Sequence, residues 1–385
     1  MLGHRQSKFG YYQVGELTTF SKIEALEWHQ RLGHAVQYRF NDAVFDCYDW
    51  TKEPQSTLVE IYQQRAQQIR AKYDYLVLFY SGGADSHNML QSFVSQGIYV
   101  DEICSFGSLD GDQDKASTFN REVFESAAPF AQRLIDTNPI YRTTRFRFLD
   151  LSELIAGLLD RITLDNFAYI ANSTVSVNNV ARQFIRDWDP EYQRIMERQS
   201  LCFVWGHDKP RTMHRDGRFG IQFLDINDNC VGPRVQQLNH SHWHDELFYN
   251  SPDMPELIIK QTHEIMRWSK LTPTTDPRWT QTVTGLGHCI KHTNADHQAW
   301  WITQNGLSSI IYPWYDPLQY YAAKPRNSIF SERDRWYWAD SVLGAKFATV
   351  INGVHQNLGS TWLNHNPERN TTSTKNFSTT FRFIE

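Results

Sequence analysis

The chain has little of what marks a secreted or membrane protein. It contains only five cysteines in 385 residues, and these lie far apart without a Cys-x-x-Cys pair. This spacing disfavours a disulfide framework and favours a reducing compartment. No apolar run approaches the length that crosses a bilayer, and the polar N-terminus lacks the apolar segment of a signal peptide. We therefore expect a cytoplasmic protein without a membrane partner.

Strong net charge is also lacking. The formal charge of −5 provides no general attraction to nucleic acid, so a nucleic-acid partner is compatible with the sequence but not indicated by it. The chain is longer than a typical single domain. We expect an N-terminal extension over residues 1–53, an α/β domain over 54–250, and a mixed, aromatic-rich C-terminal region over 251–385 that contacts substrate or covers the site.

The most informative stretch covers residues 75–90. Residues 75–80 form a nearly continuous apolar run, which predicts a strand covered on both faces. Residues 81–86, Ser-Gly-Gly-Ala-Asp-Ser, then carry only small side chains, so backbone amides can approach an anion closely. Apolar residues recur at helical spacing from Asp85 onward. A polyanion is therefore expected on the N-terminus of this helix.

This segment resembles the SGGxDS signature, or PP-loop, of the ATP pyrophosphatase superfamily. Relatives include the synthetase domains of asparagine and GMP synthetases, tRNA-thiolation enzymes and PAPS reductases. The resemblance implies a HUP-type, Rossmann-like doubly wound parallel α/β sheet that binds ATP and Mg²⁺. It also implies that the loop cradles the pyrophosphate while the α-phosphate is attacked, and that Asp85 helps to hold Mg²⁺. The residues assigned in this way to the nucleotide site are Ser81, Gly82, Gly83, Ala84, Asp85 and Ser86.

Strand and helix patterns alternate on either side of this loop. A capping box at Thr57 predicts a preceding helix, and residues 116–136 predict an amphipathic helix after it. Further strands are predicted at 101–106, 145–149 and 201–205, and this alternation favours a parallel sheet. Ligands of such sheets bind beyond the carboxyl ends of the strands, so Ser105, Phe106 and Gly107 are expected neighbours of the nucleotide. An ordinary strand-loop junction is the alternative.

A second motif, Gly206-His207-Asp208-Lys209-Pro210-Arg211, follows the last of these strands. It is similar to a Gly-His or acidic glycine-rich motif that several superfamily members carry beside the ATP site, which implies a place near the nucleotide for Gly206. We expect Lys209 and Arg211 to neutralise charge as pyrophosphate leaves, and Asp208 to bind Mg²⁺. With Asp85, the candidate catalytic residues are therefore Lys209, Arg211 and His207. A surface turn with solvated charges is the alternative.

Two further patterns have structural or chemical meaning. Asp216-Gly217, flanked by residues of strand type, predicts a β-hairpin beside the site. The alternating histidines His240, His242 and His244 would share one face of a strand and invite a metal interpretation. Because no fourth ligand stands at a characteristic spacing, a polar loop with incidental histidines is the favoured interpretation.

The resemblance of the loop, with the charged motif at 206–211, implies an ATP-dependent adenylating enzyme. It would convert ATP to AMP and pyrophosphate, activating a carbonyl or carboxylate oxygen for attack by ammonia, an amine or sulfide. Leu2 stands where the glutaminase domain of asparagine synthetase has cysteine, so we do not expect glutamine to supply the ammonia here. The alternatives are a PAPS reductase-like or sulfurtransferase enzyme, for which Cys202 and Cys289 are single candidate thiols, and a non-catalytic nucleotide-binding protein. The partners are thus ATP and an acceptor that the sequence does not identify.

Overall fold

The structure is a computed structural model. It describes residues 9–107, 109, 122–161, 177–206, 209–215, 217–225, 242–271, 290–294, 299–302, 304–315, 363–366, 371–374 and 376–385. These residues form one parallel sheet with helices on both faces, two antiparallel sheets that share its hydrophobic core, and a further two-stranded antiparallel sheet.

The N-terminal residues form a three-stranded antiparallel sheet with a helix. Helix α1 begins where the Ser21 side chain accepts a hydrogen bond from the amide of Glu24, and it ends at Gly33 in the left-handed conformation. The elements are β1 (Tyr11–Val14), β2 (Leu17–Thr19), α1 (Lys22–Leu32), β3 (Val36–Arg39) and the short α2 (Asp42–Phe45), with β1 in the middle of the sheet.

Helix α3 (Leu58–Lys72) leads into the central sheet. The predicted capping box is present, because Thr57 accepts from the amide of Glu60 while the Glu60 carboxylate accepts from the amide of Thr57. The chain then enters strand β4 (Tyr75–Phe79) and helix α4 (Ala84–Val94). The predicted order of strand, glycine turn and helix is confirmed.

The central sheet has five strands, and all neighbouring strands in it are parallel. After β4 the chain forms β5 (Glu102–Gly107), β6 (Arg145–Asp150), β7 (Leu201–Trp205), the hairpin β8 (Arg211–Arg215) and β9 (Arg218–Gln222), and then β10 (Trp243–Leu247). The order across the sheet is β10-β7-β4-β5-β6. From β4 the chain adds β5 and β6 on one side of the sheet, and it then adds β7 and β10 on the other side of β4. The strand order therefore has a Rossmann-like switch point between β4 and β7.

The helices that accompany this sheet follow the predicted alternation. Their bounds are a π-helical turn at Val123–Ala127, α5 (Ala128–Thr137), a 3₁₀ turn at Pro139–Tyr141, α6 (Ser152–Arg161), α7 (Val177–Trp188), α8 (Pro190–Met196), α9 (Pro255–Leu271) and α10 (Gln304–Ile311). In the part of the chain that the structure describes, no helix is long and apolar enough to span a membrane.

Side chains from both faces of the sheet are buried. On one face, Leu78 and Val204 pack in a cluster with residues of α3, α4 and α9. On the other face, Val77 and Phe203 belong to a cluster that includes residues of α6 and α7 and also reaches Tyr12 of the N-terminal sheet. Because both faces are covered in the middle of the sheet, β4 and β7 are nearly continuous apolar runs, whereas β6 and β10 carry charged residues.

The predicted hairpin is confirmed and extends into a second, antiparallel sheet. Strands β8 and β9 pair around Gly217, whose φ of +78° suits the turn. The sheet order is β11-β12-β8-β9-β15. The remaining strands are β11 (Ile290–Asn294), β12 (Ala299–Ile302), the pair β13 (Leu363–Asn366) and β14 (Thr371–Thr374), and β15 (Arg382–Phe383).

A buried ion pair connects three distant parts of the chain. Lys22 Nζ lies 2.7 Å from Asp225 Oδ2, and both side chains are completely buried. Tyr12 Oη donates to the same carboxylate oxygen at 2.9 Å, and the amide of Phe377 donates to Asp225 Oδ1 at 2.8 Å. Burial raises the pKa of Asp225 to about 6, so the carboxylate is ionised at neutral pH. The start of α1, the end of the hairpin and the C-terminal segment are thus held at one point.

We predict that Lys22→Met alone destabilises the protein by about 3–5 kcal/mol, because it leaves the Asp225 carboxylate buried without its cation. Adding Asp225→Asn should recover most of this loss, since the amide oxygen still accepts from Phe377. Urea unfolding of both variants measures the difference. A single variant as stable as the wild type would contradict the role of the pair.

Candidate functional site

The segment 80–83 joins β4 to α4 at the switch point of the central sheet. Gly83 occupies the N-cap position of α4 and, lacking a side chain, cannot itself cap the amide groups of the first helical turn. These groups lie at the positive end of the helix dipole. The combination of small residues, uncapped amides and a strand end is a favourable place for an anion.

Gly82 packs directly on the π-helical turn that precedes α5. Its φ of +82° lies in the left-handed region. A Cβ atom at this position would lie 3.0 Å from the backbone nitrogen of Ala127 and 3.1 Å from Ser126 Oγ. Both the backbone conformation and the close contact therefore require glycine.

Hydroxyl groups within the loop hold it in shape. The amide of Ser81 donates to Ser86 Oγ at 3.2 Å, and the amide of Gly83 donates to Ser81 Oγ at 3.3 Å. Ser86 Oγ in turn donates to the carbonyl oxygen of Gly83 at 3.1 Å. Loop amides are thus occupied by weak internal bonds, which an anion of higher charge can replace.

Asp85, in the first turn of α4, is the charged centre of the site. Its Oδ1 atom forms an ion pair with Lys209 Nζ and accepts a hydrogen bond from Tyr312 Oη at 2.6 Å. Lys209 is buried and follows β7, so the pair crosses the switch point between β4 and β7. The structure therefore brings together two of the four predicted catalytic residues, Asp85 and Lys209, which lie far apart in the sequence.

A cluster of tyrosines supports Asp85. Tyr249 Oη donates to the backbone carbonyl oxygen of Asp85 at 2.6 Å, and its ring stacks on that of Tyr312 with centroids 5.5 Å apart. Lys209 Nζ lies 5.3 Å from the centroid of the Tyr312 ring. Burial and the neighbouring Asp85 carboxylate raise the pKa of Tyr312 well above its ordinary value. The Tyr312 hydroxyl therefore stays protonated and acts as a hydrogen-bond donor.

Sequence reasoning missed these two tyrosines. Tyr249 follows β10, so the rule that ligands gather at strand ends would have found it once β10 had been recognised. Tyr312 follows α10 and lies 227 residues from Asp85. Nothing in its local sequence connects it with the loop.

The predicted residues at the end of β5 lie close to the loop but are buried. Ser105 Oγ donates to the carbonyl oxygen of Tyr80, the residue that precedes the loop. The ring of Phe106 packs against Phe79, with centroids 5.4 Å apart. Gly107 is the last residue of β5 and pairs with Asp150. Ser105 thus ties the end of β5 to the loop through the backbone.

The second motif is described in part. Gly206 packs on α4, since a Cβ atom there would lie 3.0 Å from Met89 Sδ. Arg211 is the first residue of β8 and pairs with Gln222. His207 and Asp208 lie outside the described residues, so their predicted catalytic and metal-binding roles stay predictions.

Among the described residues, no three or more His, Cys, Asp or Glu side chains form a group that could hold a metal ion. Magnesium in proteins commonly binds one or two carboxylates together with substrate phosphates. Asp85 offers such a carboxylate, with 29% of its side chain exposed. The described residues therefore fit Mg²⁺ only together with phosphate oxygens of a ligand.

The alternating histidines are described in part. His244 is a residue of β10, and its ring packs against the ring of Tyr73 at the end of α3. His240 lies outside the described residues.

Comparison with known proteins found no family model, no curated protein and no solved structure that matches the chain.

We predict that Gly82→Ala is more damaging than Gly33→Ala, which serves as a matched control. Both glycines have positive φ, but nothing lies within 4 Å of a Cβ atom built on Gly33. The control should cost about 1–2 kcal/mol from backbone strain alone. Gly82→Ala should cost about 1–3 kcal/mol more, because the new methyl group overpacks against Ala127.

Urea unfolding of the two variants provides the comparison. Equal losses of stability would show that the π-helical turn does not press on the loop.

Proposed function

We propose that the chain is a PP-loop enzyme with a HUP-type domain that binds ATP with Mg²⁺ and releases AMP and pyrophosphate. It would activate a carbonyl or carboxylate oxygen for attack by ammonia, an amine or sulfide. One observation carries the proposal: the Ser81–Ser86 loop lies at the switch point of a Rossmann-like sheet and faces a buried lysine from the neighbouring strand end. The loop motif supports the proposed family, and the position of the loop between a buried strand and a helix supports its role in phosphate binding.

The charges of the site suit a polyphosphate. The α4 N-terminus and Lys209 attract negative charge, and Asp85 opposes it. Because Lys209 now pairs with Asp85, a phosphate group entering the loop would meet an ammonium group already desolvated and aligned. When Mg²⁺ is bound, it offsets charge on the phosphate oxygens and allows Asp85 to face them.

The proposed reaction has two steps. First, the acceptor oxygen attacks the α-phosphorus, the bond to the bridging α–β oxygen breaks, and pyrophosphate leaves with its charge held by loop amides and Lys209. The nucleophile then attacks the activated carbonyl carbon, and AMP leaves with the bonding electron pair. The protein aligns the reactants and stabilises charge, without a covalent intermediate on its own side chains.

The described cysteines do not favour the sulfur-transferring alternative. Cys104 and Cys202 are strand residues with buried side chains, and burial raises the pKa of the Cys104 thiol. A sulfur relay needs an accessible thiol of low pKa. Cys47 is exposed but lies in the N-terminal region, and Cys289 lies outside the described residues. The free thiols of the three described cysteines agree with the proposed cytoplasmic location.

We predict that Asp85→Ala and Lys209→Ala each abolish pyrophosphate release from ATP, with a loss of about 10²-fold or more for the charge-stabilising lysine. The control is Lys260→Ala. Lys260 is also mostly buried and pairs with Glu53 at 2.6 Å, but it belongs to α9 and contacts neither the loop nor Asp85 in the described structure. This variant should keep the activity of the wild type even if it loses stability.

The assay needs the acceptor, which a mass-spectrometric search for an adenylated compound that copurifies with the protein would identify. Full activity of Asp85→Ala would contradict the assignment of the loop. Binding of ATP without turnover in the presence of that acceptor would favour the non-catalytic alternative, and preference for a sulfated nucleotide would favour the PAPS reductase-like one.

A further inference from the structure

Ser126 lies directly beneath the Ser81–Ser86 loop. It belongs to the π-helical turn Val123–Ala127, and the residue is 6% exposed. Its Oγ atom lies 3.1 Å from the position that a Cβ atom on Gly82 would occupy. π-Helical turns of this kind occur frequently at functional sites. The hydroxyl group thus points at the part of the loop that is bare of side chains.

The Ser126 hydroxyl has no hydrogen-bond partner among the described residues, although its oxygen is shielded from solvent. Burying a hydroxyl group without a partner costs stability, and an apolar residue of similar shape avoids that cost. Another buried serine behaves differently, because Ser92 Oγ donates to the carbonyl oxygen of Asn88 at 2.7 Å. The unpaired state of Ser126 therefore points to a partner that is present in another state of the protein.

The loop can supply that partner when it binds an anion. The amides of Ser81 and Gly83 now donate to hydroxyl groups inside the loop. An anion would draw loop amides toward itself, and the carbonyl oxygen of a trans peptide points away from its own amide. The Ser126 hydroxyl is a buried donor beside Gly82, 3.1 Å from the position of a Cβ atom built there. Gly82 and Gly83 have no side chains to hinder such a rotation of the peptide plane.

We propose that Ser126 is a positioning residue of the anion site, whose hydroxyl donates to a loop carbonyl oxygen once phosphate groups occupy the loop. This inference rests on the proposed function. It adds that the helix after β5 supports the loop in its ligand-bound conformation, in addition to supporting the fold.

The test separates ligand affinity from stability. Ser126→Ala is compared with the wild type by calorimetric titration with Mg²⁺-ATP and with inorganic pyrophosphate, and by thermal unfolding without ligand. We expect the Kd for both ligands to rise about tenfold, equivalent to about 1.4 kcal/mol. The Tm of the unliganded variant should equal or exceed that of the wild type, because the substitution removes an unsatisfied buried group.

The control is Ser269→Ala on α9, where the hydroxyl donates to the carbonyl oxygen of Ile265 at 2.8 Å. This variant should lose stability and keep its affinity. A Ser126→Ala variant that binds both ligands like the wild type, or that has a lower Tm, would overturn the role of Ser126 and leave the proposed function standing. A wild-type protein that binds neither ligand would overturn both.

Discussion

The ion pair between Asp85 and Lys209 is the contact on which the arrangement of the site depends. It joins the first turn of α4 to the segment after β7, which are the two sides of the sheet's switch point. A mostly buried lysine is tolerated only when its charge is paired, so the loop and the second motif stabilise each other's position. Tyr312 donates to the same carboxylate oxygen and thereby brings the segment after α10 into the site.

This arrangement makes the site a product of the whole fold. Tyr62 Oη, from α3, donates to the carbonyl oxygen of Ile311 at 2.8 Å, and Gln261 of α9 donates to Tyr62 at 2.7 Å. Tyr312, which contacts Asp85, is therefore held through the preceding residue by α3 and α9, two helices that cover one face of the sheet. The loop alone has the residues to attract an anion, and the surrounding helices determine where its charged partners lie.

Several elements of the fold could be predicted from the sequence because their signals are local. The run 201–205 is apolar throughout and ends at a glycine, and it forms β7 with the predicted bounds. Asp216-Gly217 marks a hairpin because only a few residue types accept the positive φ of its turn. The capping box at Thr57 depends on residues three positions apart, so it too is visible in the sequence.

Contacts between distant residues could not be predicted in this way. The helix expected at 116–136 is described from residue 122 onward and contains a π-helical turn at Val123–Ala127, which places Ser126 under Gly82. Hydrophobic periodicity does not distinguish such a turn from an α-helical one. Likewise, the local sequence does not show that Lys209 pairs with Asp85. The charge pattern of a sequence indicates that a lysine lies near a site, but not which acidic side chain it pairs with.

The most direct test of the account is a crystal structure of the protein with Mg²⁺ and α,β-methylene-ATP, in which the bond that the proposed reaction breaks is replaced by a stable one. We predict that the β- and γ-phosphates lie within hydrogen-bond distance of loop amides between Ser81 and Ser86, with Lys209 Nζ turned from Asp85 toward a phosphate oxygen. A nucleotide bound elsewhere on the protein, with the Asp85–Lys209 pair and the loop unchanged, would contradict it.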